Sequence, residues 1–185
     1  MTLEPDHLVF IDFEACSLGP GSWPIEVGLA WIVDDAVETW SSLIRQEPYW
    51  DDSEWSAEAA QIHRIERADL DMGPNATDVA ERLLDRIEAR HIISDSGHDR
   101  FWAEVLFETV DLVPPRFVTI DTVISEACDG DLEIIERVGT HLQTAQRPHR
   151  EGPDAARLAY VVLLAMRLQA ILNGGGRFHR WQRKT

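Results

Sequence analysis

Asp12-Phe-Glu14 places two carboxylates two residues apart at the end of the apolar run Leu8-Val-Phe-Ile. On a strand, residues i and i+2 point to the same side, so both acids would project together. Adjacent anions repel and are costly to strip of water unless a cation lies between them. A hard divalent ion bound through carboxylate oxygens meets that need. A D-x-E pair also arises by chance at solvated strand ends, so more acids must converge on it. Two further stretches offer them. Asp95 and Asp99 lie between a short apolar run and an amphipathic one, where either acid could serve only as a helix cap. His149-Arg-Glu-Gly-Pro-Asp154 offers a histidine in a loop and an acid in a helix's first turn. The helix dipole favours an anion there for structural reasons alone. A histidine titrates near neutrality and suits proton transfer.

The elements that must position these residues follow from hydrophobic periodicity. Residues 8–12 form a continuous apolar run closed by an acid, as in a buried central strand. A Gly/Pro/Ser loop spans 18–24. Residues 25–33 and 37–44 read as an antiparallel pair joined by the turn Asp34-Asp35. A loop at 48–53 precedes helices over 56–64 and 75–89, the second capped by Asn75, with Val79, Leu83, Leu84 and Ile87 on one face. A short strand at 91–95 leads into a helix over 98–110, whose inner face carries Phe101, Trp102, Val105 and Leu106. A fifth strand at 116–120 and two closing helices, 131–142 and 153–172, complete the pattern. Pro153 stands where a first helical residue should. Three early strands followed by alternating strands and helices specify one α/β domain with a mixed five-stranded sheet and flanking helices, spanning 1–172. Residues 173–185 read as a basic, Gly-rich tail.

Composition narrows the class. The 185 residues are 44% hydrophobic and 27% charged, as expected of one soluble domain with a sizeable core. No run of about 20 apolar residues predicts a membrane span, and the start has no basic residue ahead of an apolar segment, so no signal peptide is expected. Two cysteines, Cys16 and Cys128, are too few for a disulfide framework, and a reduced, cytoplasmic protein is the expectation. The net charge of −16 argues against polyanion binding over the whole surface. Bound cations would invert the field locally. Four of the 17 basic residues, Arg177, Arg180, Arg183 and Lys184, stand in the last thirteen positions, which hold no acid. That tail is either a nucleic-acid contact or a solvated end.

Taken together and in order, Asp12-Phe-Glu14, Asp99 and His149-x4-Asp154 resemble the motifs of the DEDDh 3′→5′ exonucleases, the superfamily of RNase T, oligoribonuclease and the bacterial polymerase proofreading subunit. Pro24-Ile-Glu-Val-Gly28 resembles that family's second strand, and His63-Arg-Ile, reached through 55–62, resembles its I-H-G-I segment. The resemblance covers roughly 8–172. It implies an RNase H-like fold and hydrolysis of terminal phosphodiester bonds with two Mg²⁺ or Mn²⁺ ions. Asp12 would bridge the ions, and Glu14, Asp99 and Asp154 would complete their shells. His149 would be the general base. Asp99 is taken as the third acid over Asp95, because Asp95 falls where the family usually carries Asn.

The chain also departs from that pattern. Ala15, Cys16 and Ser17 replace the common two threonines and glycine, and Asp95-Ser-Gly-His-Asp99 replaces N-x-x-F-D. Leu18 matches the apolar residue that packs on the terminal base, so Ala15, Cys16, Leu18 and Trp23 are the expected substrate contacts. His63 reads as structural, and Trp31, Trp40 and Trp102 as core. The expected substrate is the 3′ end of single-stranded DNA or short RNA. The alternatives are a polymerase proofreading subunit and a non-catalytic RNase H-like nucleic-acid-binding module. The oligomeric state stays open between a monomer and the homodimer common in that family.

Overall fold

Strand β1 (Leu8–Ala15) is the strand around which the others assemble, and its apolar residues explain why. Val9, Ile11 and Phe13 face one side of the sheet, Leu8 and Phe10 the other, and all five are buried. The computed structural model describes residues 4–144 and 151–173, with the side chains of 151–153 outside that description. The expected loop histidine His149 and residues 174–185 of the basic tail lie outside the described residues.

β2 (Pro24–Val33) pairs antiparallel with β1, and β3 (Ala36–Leu43) antiparallel with β2. The turn between them is Asp34-Asp35, both at positive φ (48° and 64°), as a two-residue hairpin of the favoured twist requires. β4 (His91–Ser94) runs parallel to β1 on its other side, and β5 (Phe117–Thr119) parallel to β4. The sheet order is therefore β3-β2-β1-β4-β5, mixed and five-stranded as expected.

Helices α1 (Ala57–His63), α2 (Arg67–Asp71), α3 (Ala76–Ile87) and α4 (Gly97–Phe107) precede β5. α3 and α4 cover the sheet face that carries Val9, Ile11 and Phe13, burying Val79, Ala80, Leu83, Trp102, Ala103 and Leu106 there. Helices α5 (Ile120–Ala127), α6 (Leu132–Thr144) and α7 (Glu151–Leu172) cover the other face. By length and composition Asp154–Leu172 could cross a membrane, but half of that stretch is buried within the fold. Its apolar content is used against β1, β2, β3, α5 and α6.

Several local expectations need correction. The strand expected at 116–120 gives way at Ile120, which opens α5. α5 and α2 carried too few turns to stand out as separate helices, although Ile120, Val123 and Ile124 have helical spacing and are buried. The last helix starts at Glu151, two residues before Pro153. Residues 108–110 continue α4 only as a single 3₁₀ turn.

α1 ends at Arg64, whose φ is 57°. That is the place of the glycine in the I-H-G-I pattern, and the left-handed backbone is the physical reason a glycine suits it. Arg64 is exposed, so the strain is relieved without loss of packing. Arg64→Gly should stabilise the fold by about 0.5–1 kcal/mol, read as a rise in thermal midpoint of about 1–4 °C. A fall in the midpoint would mean that the arginine side chain contributes more than the strain costs.

Candidate active site

Asp12 and Glu14 both lie on the sheet face shared with Leu8 and Phe10, on the part of β1 beyond its apolar run. Opposite them on β2 stand Gly28 and Glu26. Gly28 contributes no side chain against Asp12, whereas Glu26 is a third carboxylate on the same strand pair, 3% exposed. α7 packs across β1 and β2 and brings Asp154, its fourth residue, to this face. Asp154 is 6% exposed, and the positive end of the helix dipole favours its charge.

The fourth acid arrives through β4. Its register with β1 ends at Phe10↔Ile93 in the residue-by-residue ladder, so two residues further on Asp95 comes level with Asp12. The chain then leaves the sheet and starts α4, with Ser96 as its cap accepting from the His98 N–H. Beyond the end of β4, the Phe13 N–H is met by Asp99, whose Oδ1 accepts it at 3.2 Å. Asp99 is 1% exposed. Its Oδ2 is buried and has no hydrogen-bond partner among the described residues.

The result is two groups of acids that share Asp12. Oxygens of Asp12, Glu14 and Asp154 lie within 4.8 Å of one another, as do oxygens of Asp12, Asp95 and Asp99. All five line one pocket with Ser96, Trp102 and Arg157. Burial first, and then the charges of Asp99, Asp154, Glu14 and Asp95, hold the Asp12 carboxyl well above the usual carboxylate range. Burial, followed by the charge of Asp95, pushes Asp99 up to about 8 against the lowering effect of its hydrogen bond from the Phe13 N–H. An all-oxygen, anionic donor set with a buried carboxylate oxygen lacking a donor fits a hard divalent cation such as Mg²⁺ or Mn²⁺.

The structure brings both Asp99, taken as the third acid, and Asp95 to Asp12. Arg157, absent from the expected site residues, is also here. Its Nη2 donates to Asp95 Oδ2 at 2.9 Å and its Nη1 to the Leu142 carbonyl at 3.0 Å, while its Nε lies 3.5 Å from Asp154 Oδ1. Its position one helical turn after Asp154 was the signal in the sequence that could have placed it.

The expected substrate contacts divide. Leu18 is 73% exposed, at the tip of the loop after β1. Trp23, expected to stack on a base, is instead 1% exposed. It stacks on Trp50 with ring centres 5.7 Å apart, and its Nε1 donates to the Asp51 carbonyl. Cys16 is fully buried, and its Sγ accepts from the Trp23 N–H. Its own N–H donates to the Trp23 carbonyl, and its carbonyl accepts from Ser56. Ala15 is 6% exposed. These three residues build the foundation of the loop rather than its outer face, since a hydrophobic sequence position in a loop can serve as an anchor as readily as a contact. Trp102 completes the clamp by donating from Nε1 to Ser22 Oγ at 2.9 Å. His63 is buried as expected, and its Nδ1 accepts from the Ile65 N–H. Trp102 is core, and Trp31 and Trp40 are partly buried against it.

The raised carboxyls give a signed pH dependence. Carboxyls of the unfolded chain titrate near about 4. Between there and about 8, the folded, metal-free protein holds protons that the unfolded chain has released. That contribution to stability is full below about 4 and is lost as pH rises through about 8. In chelator, the thermal midpoint should fall over this window, and Asp12→Asn should flatten the fall. Added Mn²⁺ should raise the midpoint more at pH 8 than at pH 5, because the cation then displaces fewer protons. Equal Mn²⁺ shifts at both pH values would contradict the linkage.

No protein-family model matches the chain, and no curated protein is significantly similar to it in sequence. Solved structures do match. A full-length 3′-exonuclease superposes with a TM-score of 0.65 at 16% identity, over 92% of this chain and 84% of that one. A 3′-exonuclease solved for 3′-end-specific recognition of the histone mRNA stem-loop gives 0.64 at 16% identity, over 89% of this chain and 65% of that one. The chain thus spans less than two thirds of that protein. Exonuclease X, solved in complex with 5′-overhanging duplex DNA, gives 0.59 at 18% identity, over 88% and 93%. At such identities the likeness establishes architecture: the chain has the RNase H-like fold of 3′-exonucleases, the class of protein its motifs resemble.

Proposed function

We propose that the chain is a metal-dependent 3′→5′ exonuclease that removes terminal nucleotides from single-stranded DNA or short RNA. The observation that carries this reading is the convergence of Asp99 and Asp154, from two distant stretches of chain, on the strand pair Asp12 and Glu14, on a fold shared with 3′-exonucleases. An inert binding module has no use for acids that repel one another in a buried pocket. The exonucleases of like fold were solved for recognition of an RNA stem-loop and with a DNA duplex, so both nucleic acids are carried as substrates to be tested. Two buried, free cysteines agree with a reducing compartment, and a cytoplasmic location is part of the proposal.

Asp12, Glu14, Asp99 and Asp154 would hold two divalent ions, Mg²⁺ or Mn²⁺. Bound there, such ions supply Lewis acidity to the attacking and leaving oxygens of an in-line displacement. The chain's own residues do the rest. Asp12 offers oxygens to both groups of acids. The Phe13 N–H fixes Asp99 through one oxygen and leaves the other without a hydrogen-bond donor among the described residues. Leu18, on a loop clamped by Trp23 and Trp102, packs against the terminal base. His149, five residues before Asp154, takes the proton of the attacking water. Its neutral imidazole is the active form, so the rate rises with pH as that group loses its proton.

A digestion panel of 3′- and 5′-labelled DNA and RNA oligomers, with Mg²⁺, Mn²⁺ or chelator, tests the reading. Stepwise shortening from the 3′ end is expected with either metal, and none in chelator or with Asp12→Ala. Undiminished hydrolysis in excess chelator would sink the metal-dependent mechanism. His149→Ala should lower kcat by about 10²–10⁴ and leave Mn²⁺ affinity nearly unchanged, whereas Asp154→Ala should weaken Mn²⁺ binding too. Calorimetry in which His149→Ala loses Mn²⁺ as severely as Asp154→Ala would make the histidine a ligand.

A further inference from the structure

Asp95 is the acid the four-carboxylate pattern does not call for, and the fold places it deliberately. The parallel register of β1 and β4 sets it level with Asp12, and an oxygen of Asp95 lies within 4.8 Å of oxygens from both Asp12 and Asp99. Its Oδ2 accepts from Arg157 Nη2 at 2.9 Å, and Arg157 is only 9% exposed. A second bond, from Nη1 to the Leu142 carbonyl, fixes that guanidinium. A planar, permanently charged group held at two points orients the carboxylate it grips. A single guanidinium does not balance the five carboxylates that line the pocket with it.

The neighbouring acid supplies the second observation. Asp99 is 1% exposed and lines the pocket with Asp12 and Asp95, and its buried Oδ2 lacks any hydrogen-bond partner among the described residues. A buried carboxylate oxygen without a donor is costly unless a cation occupies the space before it. Asp12, Asp95 and Asp99 therefore form a second group of ligands, joined to Glu14 and Asp154 through Asp12.

We infer that Asp95 is a ligand of a divalent cation, which it holds together with Asp12 and Asp99. The inference rests on the metal-dependent reading above and adds a fifth acid to it. With Asp95 and Asp99 added to the shared Asp12, this second site fills before nucleic acid arrives, because affinity for a hard cation rises with the number of charged ligands. A site relying on substrate phosphate to complete its shell would stay empty in the free protein.

Titration of nucleic-acid-free protein with Mn²⁺, followed by calorimetry and by the electron spin resonance signal of unbound Mn²⁺, tests this. The full chain should bind two ions. Asp95→Asn, which keeps an oxygen for Arg157, should retain one and weaken the other by about tenfold or more. Glu14→Gln should weaken the ion that Asp95→Asn spares. Two ions bound by Asp95→Asn as tightly as by the unaltered protein would overturn the inference, leaving Asp95 as an ion-pair partner and the metal-dependent reading intact. A single ion on the unaltered protein would also overturn it, and no ion at all would remove the metal-dependent reading as well. Anomalous scattering from crystals of the unaltered protein grown with Mn²⁺ makes the test independent of variant folding. An ion bonded to an Asp95 oxygen supports the inference, and ions bonded only to the other four acids overturn it.

Discussion

Mutual repulsion among carboxylates around Asp12 is the constraint on which the rest of the structure depends. Asp12, Glu14, Asp95, Asp99 and Asp154 share one pocket, and burial and their mutual charge hold Asp12 and Asp99 protonated far above the usual range. Such a cluster persists only where the surrounding structure holds each member in place. The Phe13 backbone N–H grips Asp99, Arg157 grips Asp95, and the start of a 22-residue helix supports Asp154. Each device acts on a different acid, so the cluster does not relax by moving one element.

The rigidity behind those devices comes from burial on both faces of β1. Val9, Ile11 and Phe13 are locked into one core and Leu8 and Phe10 into the other, which pins the strand before it reaches Asp12. The loop after β1 is set with similar care. Trp23 lies against Trp50 and Trp55, Cys16 and Trp23 bond to one another, and Trp102 reaches across to Ser22. Glu54 occupies the space beside Gly19 and Gly21, where any Cβ would meet its carboxylate at 2.7–2.8 Å. The outcome is an exposed Leu18 carried on an anchored base.

Arg157 ties these layers together. It spans α7, the end of α6 and the turn after β4 through its bonds to Leu142 and Asp95, and it places permanent positive charge within the acidic pocket. A lysine would supply the charge without the fork that reaches two acceptors at once. On the proposed function, the same cluster would let a chain of net charge −16 address a polyanion. Cations held by the acids would reverse the field at the pocket while the remaining surface stays repulsive, which favours a strand end over a continuous duplex.

The sequence by itself determined the elements and the central acids. The run Leu8 to Ile11, the same-face pair Asp12 and Glu14, the Asp34-Asp35 hairpin and the amphipathic faces of α3 and α4 are local patterns, set by the period of a strand or helix and by turn chemistry. The order of acids along the chain carried the resemblance that named Asp99 and Asp154. Tertiary structure decided what depends on register and on which side of a loop faces inward. The parallel pairing of β1 with β4 is a contact between positions more than eighty residues apart, so no local period could reveal that Asp95 meets Asp12. The burial of Trp23 and Cys16 was settled by Trp50, Trp55 and Ser56, brought there by the folding of 48–63 over the loop. Arg157 carries no record of its partners in the sequence, because a charge by itself does not specify what it meets. Only the packing of α7 across the sheet gave it Asp95 and Leu142.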